Sequence, residues 1–344
     1  MRLTLRRPDD WHLHLRDGEL LRAVLPHTAA RFARAIVMPN LSPPVTTTAA
    51  ALAYRDRILA ALPAGSDFQP LMTLYLTDNT PPEEIRRAQD SGAVFGVKLY
   101  PAGATTNSDS GVTDLDRCKA ALAAMEETGM VLQVHGEVTR AEVDVFDRER
   151  VFIERVLAPT VDRFPRLRVV LEHVTTADGV EFVRGAREGV AATVTPQHMM
   201  LNRNAMFAGG LRPHNYCLPV LKAERHREAV LAAATSGSER FFLGTDSAPH
   251  TRGSKESSCG CAGIYSAPLG IEIYAELFEQ AGALDRLEAF AAEFGPRFYG
   301  LPLNEERIVL ERRPWQPPAE YPAGDDTLVP FRAGETVSWS LVPA

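Results

Sequence analysis

Two histidines near the start of the chain, His12 and His14, stand one residue apart in a short apolar stretch. Side chains alternate between the two faces of a β-strand, so both imidazoles would point the same way and could bind one metal ion. The pair alone is a weak signal, because two partly exposed histidines near a chain start have the same spacing. The spacing therefore indicates metal chemistry only if further ligands reach the same place.

Four more polar residues lie inside or directly after apolar runs. Lys98 lies within the run 94–99, and His135, His173 and Asp246 follow three later runs. A buried ammonium is costly, so Lys98 must be paired, neutral or chemically modified unless its head reaches the surface. Each histidine, considered singly, is more typical of a satisfied core or loop residue than of a ligand. Their shared position at the ends of apolar runs needs a common explanation.

The elements that would position these residues are short apolar runs that alternate with helical stretches. The eight apolar runs, many of them rich in Val, Ile, Leu and Phe, cover residues 11–15, 35–38, 71–76, 94–99, 130–134, 168–171, 190–194 and 241–243. Segments with helical periodicity cover residues 17–25, 46–62, 81–90, 113–128, 151–164, 178–188 and 221–234. Strand and helix alternating eight times predict an α/β fold, a (β/α)8 TIM barrel. A doubly wound open sheet uses the same units and is the alternative, although no Gly-x-Gly-x-x-Gly follows an early strand.

A closed barrel would bring the polar residues together, because the C-terminal ends of its parallel strands meet at one mouth. The residues predicted to converge there are His12, His14, Lys98, His135, His173 and Asp246. Neutral imidazoles and a carboxylate are ligands suited to zinc or a similar metal. Six such residues exceed what one tetrahedral ion needs, so the set predicts two metals.

Composition excludes other classes of function. The chain has 344 residues, 45% of them hydrophobic, and its 37 basic and 44 acidic side chains give a net charge of −7. This balance argues against a nucleic-acid-binding surface, and no apolar run approaches the ~20 residues that span a bilayer. The first ten residues lack the apolar core of a secretory signal, so we expect a cytoplasmic protein.

The chain is expected to form a single domain, 1–344. The barrel would cover about 8–300, and seven prolines between Pro302 and Pro343 predict an irregular extension, 301–344, packed on it. Four cysteines are too few and too scattered for a disulfide framework. Cys259 and Cys261 could suggest a metal site, but no second pair completes it, and reduced thiols are favoured.

The remaining histidines are interpreted without a functional role. His27 and His226 lie on the polar faces of helical segments and are expected at the solvated surface. His198 and His214 follow the seventh predicted strand in a loop, and we do not expect them to touch a ligand.

The set of polar residues resembles that of the binuclear amidohydrolases, and five segments narrow the resemblance to the dihydroorotase family in its bacterial, stand-alone, homodimeric form. The segments are Trp-His-Leu-His-Leu-Arg-Asp-Gly (11–18), Val-Met-Pro-Asn-Leu (37–41), Gly-Val-Lys-Leu-Tyr-Pro-Ala-Gly-Ala-Thr-Thr-Asn-Ser (96–108), Leu-Gln-Val-His-Gly-Glu (132–137) and Gly-Thr-Asp-Ser-Ala-Pro-His (244–250). The resemblance spans residues 11 to about 300. It implies a homodimeric barrel enzyme that interconverts N-carbamoyl-L-aspartate with L-dihydroorotate and water in pyrimidine biosynthesis.

The resemblance also implies two Zn²⁺ per subunit, bridged by an N6-carboxylated Lys98. The ions would be held by His12, His14 and Asp246 and by His135 and His173. Carboxylation would exchange a costly buried cation for an anionic ligand, as metal binding requires. Asp246 would also be catalytic, because it would take a proton from the attacking water and pass it to the leaving ring nitrogen.

The implied substrate carries a carboxylate, which needs a cationic anchor. Arg16 lies two residues past His14, on the same strand face, and offers a bidentate fork. The resemblance assigns substrate contacts to Arg16, Asn40, Thr105, Thr106, Leu218, His250 and Ala262. On the residues alone, Arg16 could instead form a surface ion pair with Asp17 or Glu19. Asn40 could simply make a turn.

The segment 102–111, which contains both threonines, is small, polar and flanked by glycine. Such a composition suits a mobile lid that closes over a ligand. The alternative is a flexible loop without a function.

Two rival functions remain on the sequence alone. A related cyclic amidase of the dihydropyrimidinase, hydantoinase or allantoinase type would share the metal ligands but would not need the carboxylate-binding residues. A catalytically dead barrel kept as a binding partner would usually have lost a ligand, whereas this chain retains all six.

Overall fold

Strands and helices alternate along most of the chain. The computed structural model of the protein describes residues 1–258 and 260–343. The strands are β1 (Arg2–Arg6), β2 (Asp9–Leu13), β3 (Arg34–Val37), β4 (Gln69–Tyr75), β5 (Val94–Leu99), β6 (Val131–Val134), β7 (Val169–Leu171), β8 (Val190–Val194), β9 (Phe241–Leu243), β10 (Arg307–Glu311), β11 (Tyr321–Ala323), β12 (Asp326–Leu328) and β13 (Ser340–Leu341). The α-helices are α1 (Gly18–Ala29), α2 (Thr48–Ala60), α3 (Pro82–Asp90), α4 (Lys119–Thr128), α5 (Arg148–Phe152), α6 (Ala158–Arg163), α7 (Ala177–Gly185), α8 (Pro196–Met200), α9 (Glu224–Ala234), α10 (Arg252–Lys255), α11 (Gly270–Gln280), α12 (Leu287–Ala292) and α13 (Phe294–Tyr299). No helix within the described ranges is long and apolar enough to cross a bilayer.

Strands β2 to β9 form one parallel sheet, in which each strand pairs with the next along the chain. Directly after β9, Ser247 bridges to Leu13, and the Asp246 amide donates a hydrogen bond of 2.9 Å to the His12 carbonyl. The first and last strands of the sheet therefore meet. The predicted (β/α)8 barrel is confirmed, and the open-sheet alternative is wrong, because an open sheet keeps its edge strands apart.

The predicted apolar runs coincide with the barrel strands. The runs 94–99, 190–194 and 241–243 match β5, β8 and β9 exactly at both ends, and the other five differ by one or two residues. The predicted helical segments overlap α1 to α4, α7 and α9. The segment 151–164 differs in detail, because it contains a π-helical turn, Ile153–Leu157, between α5 and α6.

Apolar side chains fill the layer between sheet and helices and also the inside of the barrel. Inside, Trp11 of β2 stacks on Tyr299 of α13 with ring centroids 4.5 Å apart. Gly295 of α13 is required by this packing, because a Cβ there would lie 1.9 Å from the Trp11 indole nitrogen. The guanidinium of Arg168, the residue before β7, lies over Phe298 of α13. Helix α13 thus covers the end at which the strands begin and leaves the opposite end to polar side chains.

The extension after Leu301 combines irregular segments with short strands. Strand β10 pairs antiparallel with β1 from the other end of the chain, and β13 adds to the same sheet. Strands β11 and β12 form a hairpin, and Pro330 bridges to Tyr265 in the loop that follows β9. The sequence of these strands shows no clear alternation of apolar and polar residues, because each strand is short and its partner lies far away along the chain.

Candidate metal centre and active site

The first half of the site is a cluster of His12, His14 and Asp246 at the point where the barrel closes. Asp246 Oδ1 lies 3.4 Å from His12 Nε2 and 3.2 Å from His14 Nε2. One metal-binding atom from each of the three residues lies within 4.8 Å of the others. Burial lowers the pKa of both imidazoles, so both are neutral near pH 7, which is the form that binds metal.

The second half of the site consists of His135, which follows β6, and His173, which follows β7. Their ring centroids lie 4.8 Å apart, and the His173 ring lies 5.0 Å from that of His12. Burial lowers the pKa of His173 well below its usual value. His173 also has a left-handed backbone, with φ of +42°, which non-glycine residues rarely adopt. The four histidines, which come from three separate strand ends, therefore form one continuous cluster.

Lys98 of β5 is buried beside this cluster, with a relative exposure of 0%. Among the residues that the structure describes, its Nζ has no hydrogen-bond partner, and it lies 5.1 Å from the centroid of the Tyr100 ring. Burial lowers the pKa of Lys98 to about 8, although the carboxylates of Glu172 and Asp246 act in the opposite direction. The alternative in which the lysine head reaches the surface is wrong. The side chain is a buried amine that lacks the partners a buried ammonium needs.

Asp246 is buried at the mouth of the barrel. Its side chain lines the cavity at the barrel mouth, and burial raises the pKa of its carboxyl, although His12 and Lys98 favour the charged form. The backbone is left-handed here too, with φ of +45°. The hydrogen bond of the Asp246 amide to the His12 carbonyl holds this conformation.

The donors present fit a pair of divalent metal ions. Among the described residues, two buried nitrogens in the cluster, Lys98 Nζ and His173 Nδ1, have no hydrogen-bond partner within the protein. Buried polar atoms normally have partners, so unpaired nitrogens beside neutral imidazoles and a carboxylate indicate that something else binds there. The structure thus brings the six residues together at the barrel mouth, as predicted.

Two carboxylates behind the histidines were not singled out from the sequence. His12 Nδ1 lies 2.8 Å from Glu172 Oε2, which also accepts a hydrogen bond of 2.5 Å from the Thr193 hydroxyl. His135 Nε2 lies 2.8 Å from Glu137 Oε2. Such carboxylates fix the tautomer of a ligating imidazole and raise its basicity. An acidic residue next to a strand-terminal histidine was the only sequence signal for such carboxylates. This signal would have paired Glu172 with its neighbour His173, whereas Glu172 bonds to His12 on another strand.

One cavity connects the histidine cluster with most of the predicted substrate residues. It encloses about 320 Å³ including its mouth. Its lining includes Arg16, Asn40, Thr105, Thr106, Leu218 and Ala262 from the predicted set. Tyr100, Ala248 and Gly263 also line it and were not predicted. His250 is not part of the lining; its ring lies behind Arg16.

The guanidinium of Arg16 projects into this cavity without an acidic partner. Its Nε donates to the Pro249 carbonyl at 3.1 Å, and its Nη2 lies 3.0 Å from His250 Nε2. Burial and the Arg16 charge lower the pKa of His250 to about 2, so the ring is neutral and accepts this hydrogen bond. The alternative of an ion pair with Asp17 or Glu19 is wrong. Within the described parts of the chain, no carboxylate lies at ion-pair distance from Arg16.

The segment 102–111 lies over the cavity and is tied to Asn40. The Asn40 side-chain amide donates to the Thr106 carbonyl at 3.0 Å, and the Asn107 side-chain amide donates to the Asn40 carbonyl at 3.0 Å. Asn40 therefore does more than make a turn, because it joins the rim of the cavity to the loop that covers it. Asn107, with φ of +55°, was not recognised from the sequence.

Of the histidines interpreted without a functional role, three are more buried than the sequence suggested. The prediction that His226 is solvated is wrong, since it is 9% exposed and its Nδ1 accepts from the Ala177 amide. His27 is half-buried and hydrogen-bonds to Tyr265. His198 is buried in α8, and His214 pairs with Glu256 near the surface. Neither His198 nor His214 lines the cavity in the described part of the structure.

The cysteines show no sign of a metal site where the structure describes them. Cys118 and Cys217 are buried free thiols, as predicted. The pair Cys259 and Cys261 cannot be assessed as a pair, because residue 259 lies outside the described residues.

Lys255 of α10 is a further buried cation that the sequence did not distinguish. Its Nζ donates to the carbonyls of Tyr216, Cys261 and Gly263 at 2.8, 2.8 and 2.7 Å. These carbonyls belong to the two backbone segments that carry Leu218 and Ala262. Lys255 therefore joins both segments into one wall of the cavity.

Comparison with known proteins agrees with this site. Residues 10–304 match the Amidohydrolase family. A dihydroorotase of Azoarcus sp. (strain BH72) is 66% identical over 340 residues, which are 98% of this chain and 99% of that protein. The chain belongs to the dihydroorotases of the amidohydrolase family. The family resemblance seen in residues 11 to about 300 is confirmed.

Solved dihydroorotases share the fold over almost the whole chain. One from Campylobacter jejuni has a TM-score of 0.91 and 36% identity, covering 99% of this chain and 97% of its own. One from Saccharomyces cerevisiae, described as a complex with 5-fluoroorotic acid, has a TM-score of 0.91 and 33% identity, covering 99% and 98% of the two chains. The barrel and its C-terminal extension are thus common to these dihydroorotases.

Proposed function

We propose that the protein catalyses the reversible closure of N-carbamoyl-L-aspartate to L-dihydroorotate and water, a step of pyrimidine biosynthesis. One observation carries the assignment of substrate: the Arg16 guanidinium lines the cavity beside the histidine cluster and has no protein carboxylate at ion-pair distance among the described residues. A partly buried cation without an anionic partner favours a ligand that brings its own carboxylate. The similarity to dihydroorotases over 98% of the chain supports the same reaction.

The proposed cofactors are two Zn²⁺ ions, for which a carboxylated Lys98 would be a further ligand. The residues proposed to hold the ions are His12, His14 and Asp246 for one and His135 and His173 for the other. Reaction of the unpaired Lys98 amine with carbon dioxide, with loss of a proton, would replace a buried cation by an anionic carbamate. When bound, the metals supply Lewis acidity and lower the pKa of water toward neutrality.

The proposed chemistry of the chain itself centres on Asp246. In the hydrolytic direction its carboxylate takes a proton from the attacking water and gives it to the ring nitrogen as the amide bond breaks. A carboxyl whose pKa is raised by burial is suited to both transfers. Cyclisation is the reverse, in which the carbamoyl nitrogen loses a proton to Asp246 and water leaves.

The other predicted residues are proposed to orient the substrate. Arg16 and Asn40 bind the ring carboxylate, with His250 holding the guanidinium from behind. Leu218 and Ala262 offer backbone groups to the ring from the opposite wall. Thr105 and Thr106, on the covering loop, contact the ligand and exclude water from it.

The homodimer and the cytoplasmic location expected from the sequence remain proposals. Sedimentation velocity on the purified protein tests the first, with a mass of twice the monomer as the expected result. Fractionation of the cells that produce the protein tests the second, with the protein expected in the cytosolic fraction.

The substrate assignment is tested by comparing two cyclic amides with zinc-loaded protein. L-Dihydroorotate carries the carboxylate that Arg16 would bind, whereas 5,6-dihydrouracil has the same ring without it. We expect kcat/KM to be larger for L-dihydroorotate by about 100-fold or more, as loss of a charge pair inside the cavity predicts. Equal or faster turnover of dihydrouracil would favour the rival cyclic amidase, and a zinc-loaded protein inactive on both would contradict the proposal.

A further inference from the structure

The backbone that carries Arg16 adopts a conformation that its own residue type does not favour. Arg16 has a φ of +59°, in the left-handed region that non-glycine side chains rarely occupy. Such a conformation persists only where surrounding contacts hold it. The direction of the guanidinium therefore depends on whatever holds residues 16 and 17.

Helix α2 supplies the contacts that hold this turn. The Tyr54 hydroxyl donates a hydrogen bond of 2.5 Å to the Arg16 carbonyl. One turn further along the helix, Arg57 donates to the Asp17 carboxylate from Nε at 3.0 Å and from Nη2 at 2.8 Å. Residues three apart lie on the same side of a helix, and the Arg57 guanidinium lies 5.2 Å from the centroid of the Tyr54 ring. Both side chains thus hold neighbouring residues of one turn.

The two contacts differ in how firmly they can hold the backbone. Tyr54 is fully buried, and burial raises the pKa of its hydroxyl, so it remains a neutral donor throughout the working range. Arg57 and Asp17 are each nearly half-exposed, so water weakens their ion pair. The hydroxyl of Tyr54 is therefore the stronger of the two constraints.

We propose that Tyr54 is a positioning residue of the substrate site, which directs the Arg16 guanidinium into the cavity by holding the Arg16 carbonyl. The proposal rests on the proposed function, because it treats Arg16 as the anchor of the substrate carboxylate. The Arg16 guanidinium contacts Pro249 and His250 at close to 3 Å, so a small rotation of the Arg16 backbone would break both contacts. Without the Tyr54 hydroxyl, the Arg16 backbone can rotate and the guanidinium no longer points to where the substrate carboxylate would bind. Tyr54 itself does not line the cavity.

The test is Tyr54→Phe, which removes the hydroxyl and keeps the ring in the core. We expect KM for L-dihydroorotate to rise by about 5- to 30-fold, since the partly buried Arg16 carbonyl loses its hydrogen-bond partner and the guanidinium is no longer held in position. We expect kcat to stay within about threefold and the zinc content to be unchanged, because the catalytic groups are untouched.

The matched control is Tyr274→Phe. The Tyr274 hydroxyl is also buried and donates to a main-chain carbonyl of the barrel, that of Val194, at 2.6 Å. This variant should lose a similar amount of thermal stability and keep the wild-type KM. A rise in KM of the same size in both variants would show a general loosening of the barrel and overturn the proposal.

A second variant, Arg57→Met, loosens the same turn from its exposed side and leaves the core intact. We expect KM to rise by about two- to threefold, in keeping with a partly exposed ion pair. A wild-type KM in Tyr54→Phe overturns the inference. If Tyr54→Phe does not fold, Arg57→Met decides the question, and a wild-type KM in that variant overturns the inference. Inactivity of the zinc-loaded wild type would contradict the proposed function instead, so the two failures are distinguishable.

Discussion

Replacing Glu172 by Gln should weaken zinc binding while leaving the shape of the site nearly unchanged. The Glu172 side chain is fully buried, and its Oε2 accepts hydrogen bonds from His12 Nδ1 at 2.8 Å and from the Thr193 hydroxyl at 2.5 Å. The carboxylate holds His12 in the tautomer whose Nε2 faces Asp246, and its charge makes that nitrogen a better ligand. An amide has nearly the same volume but lacks the charge.

The expected magnitude follows from the kind of contact that is lost. Carboxylates that orient a ligating histidine typically contribute 10- to 100-fold to metal affinity, or about 1.4 to 2.7 kcal/mol. A hydrogen bond to a charged group contributes about 1.5 to 3 kcal/mol, which agrees with that range. We therefore expect Glu172→Gln to lower zinc affinity by about 10- to 100-fold.

The assay is competition for zinc between the protein and a chelator of known affinity, with protein-bound zinc counted by mass spectrometry. Glu149→Gln is the matched control, because Glu149 is 1% exposed and accepts from the Thr175 and Thr176 hydroxyls rather than from an imidazole. It should lower thermal stability without changing zinc affinity. Wild-type affinity in Glu172→Gln, or the same loss in both variants, would refute the role given to Glu172.

Three further variants test the proposed roles in the site. Lys98→Ala should lose zinc and most activity, and a short carboxylic acid added in solution should partly restore both; full activity without it would contradict the carbamate. Asp246→Asn should keep the fold by circular dichroism and lower kcat by about 10²- to 10⁴-fold, whereas near-normal turnover would exclude it as the proton carrier. Arg16→Ala should raise KM for L-dihydroorotate by about 30-fold or more in steady-state kinetics, since the carboxylate loses its partner. A KM near the wild-type value would show that a residue other than Arg16 binds the substrate carboxylate.

The sequence predicted the barrel and the meeting of its polar residues because both depend on local patterns. Each barrel strand is a short apolar run that is buried on both faces, and such runs are legible without knowledge of their neighbours. Lys98, His135 and Asp246 were recognisable because a polar residue in or after such a run is unusual. The alternation of strands and helices favoured a closed barrel, and closure brings distant strand ends together.

The sequence could not predict which side chains hold these residues from behind. Glu172 bonds to His12 rather than to the adjacent His173, and Tyr54 holds the carbonyl of a residue that belongs to another element. His226 looked like a surface residue by its helical period, yet it is buried against the start of α7. Such pairings depend on how the helices pack on the sheet, and this packing produces no recognisable pattern in the sequence.

The amino-acid sequence by itself thus determined the fold class, the six polar residues of the barrel mouth and the likeness to dihydroorotases. Only the tertiary structure decided that the amine of Lys98 lacks a hydrogen-bond partner among the described residues, and that Arg16 faces the cavity instead of pairing with Asp17. The physical reason is that burial and periodicity are properties of a segment. Hydrogen-bond satisfaction and charge pairing are properties of a place where several segments meet.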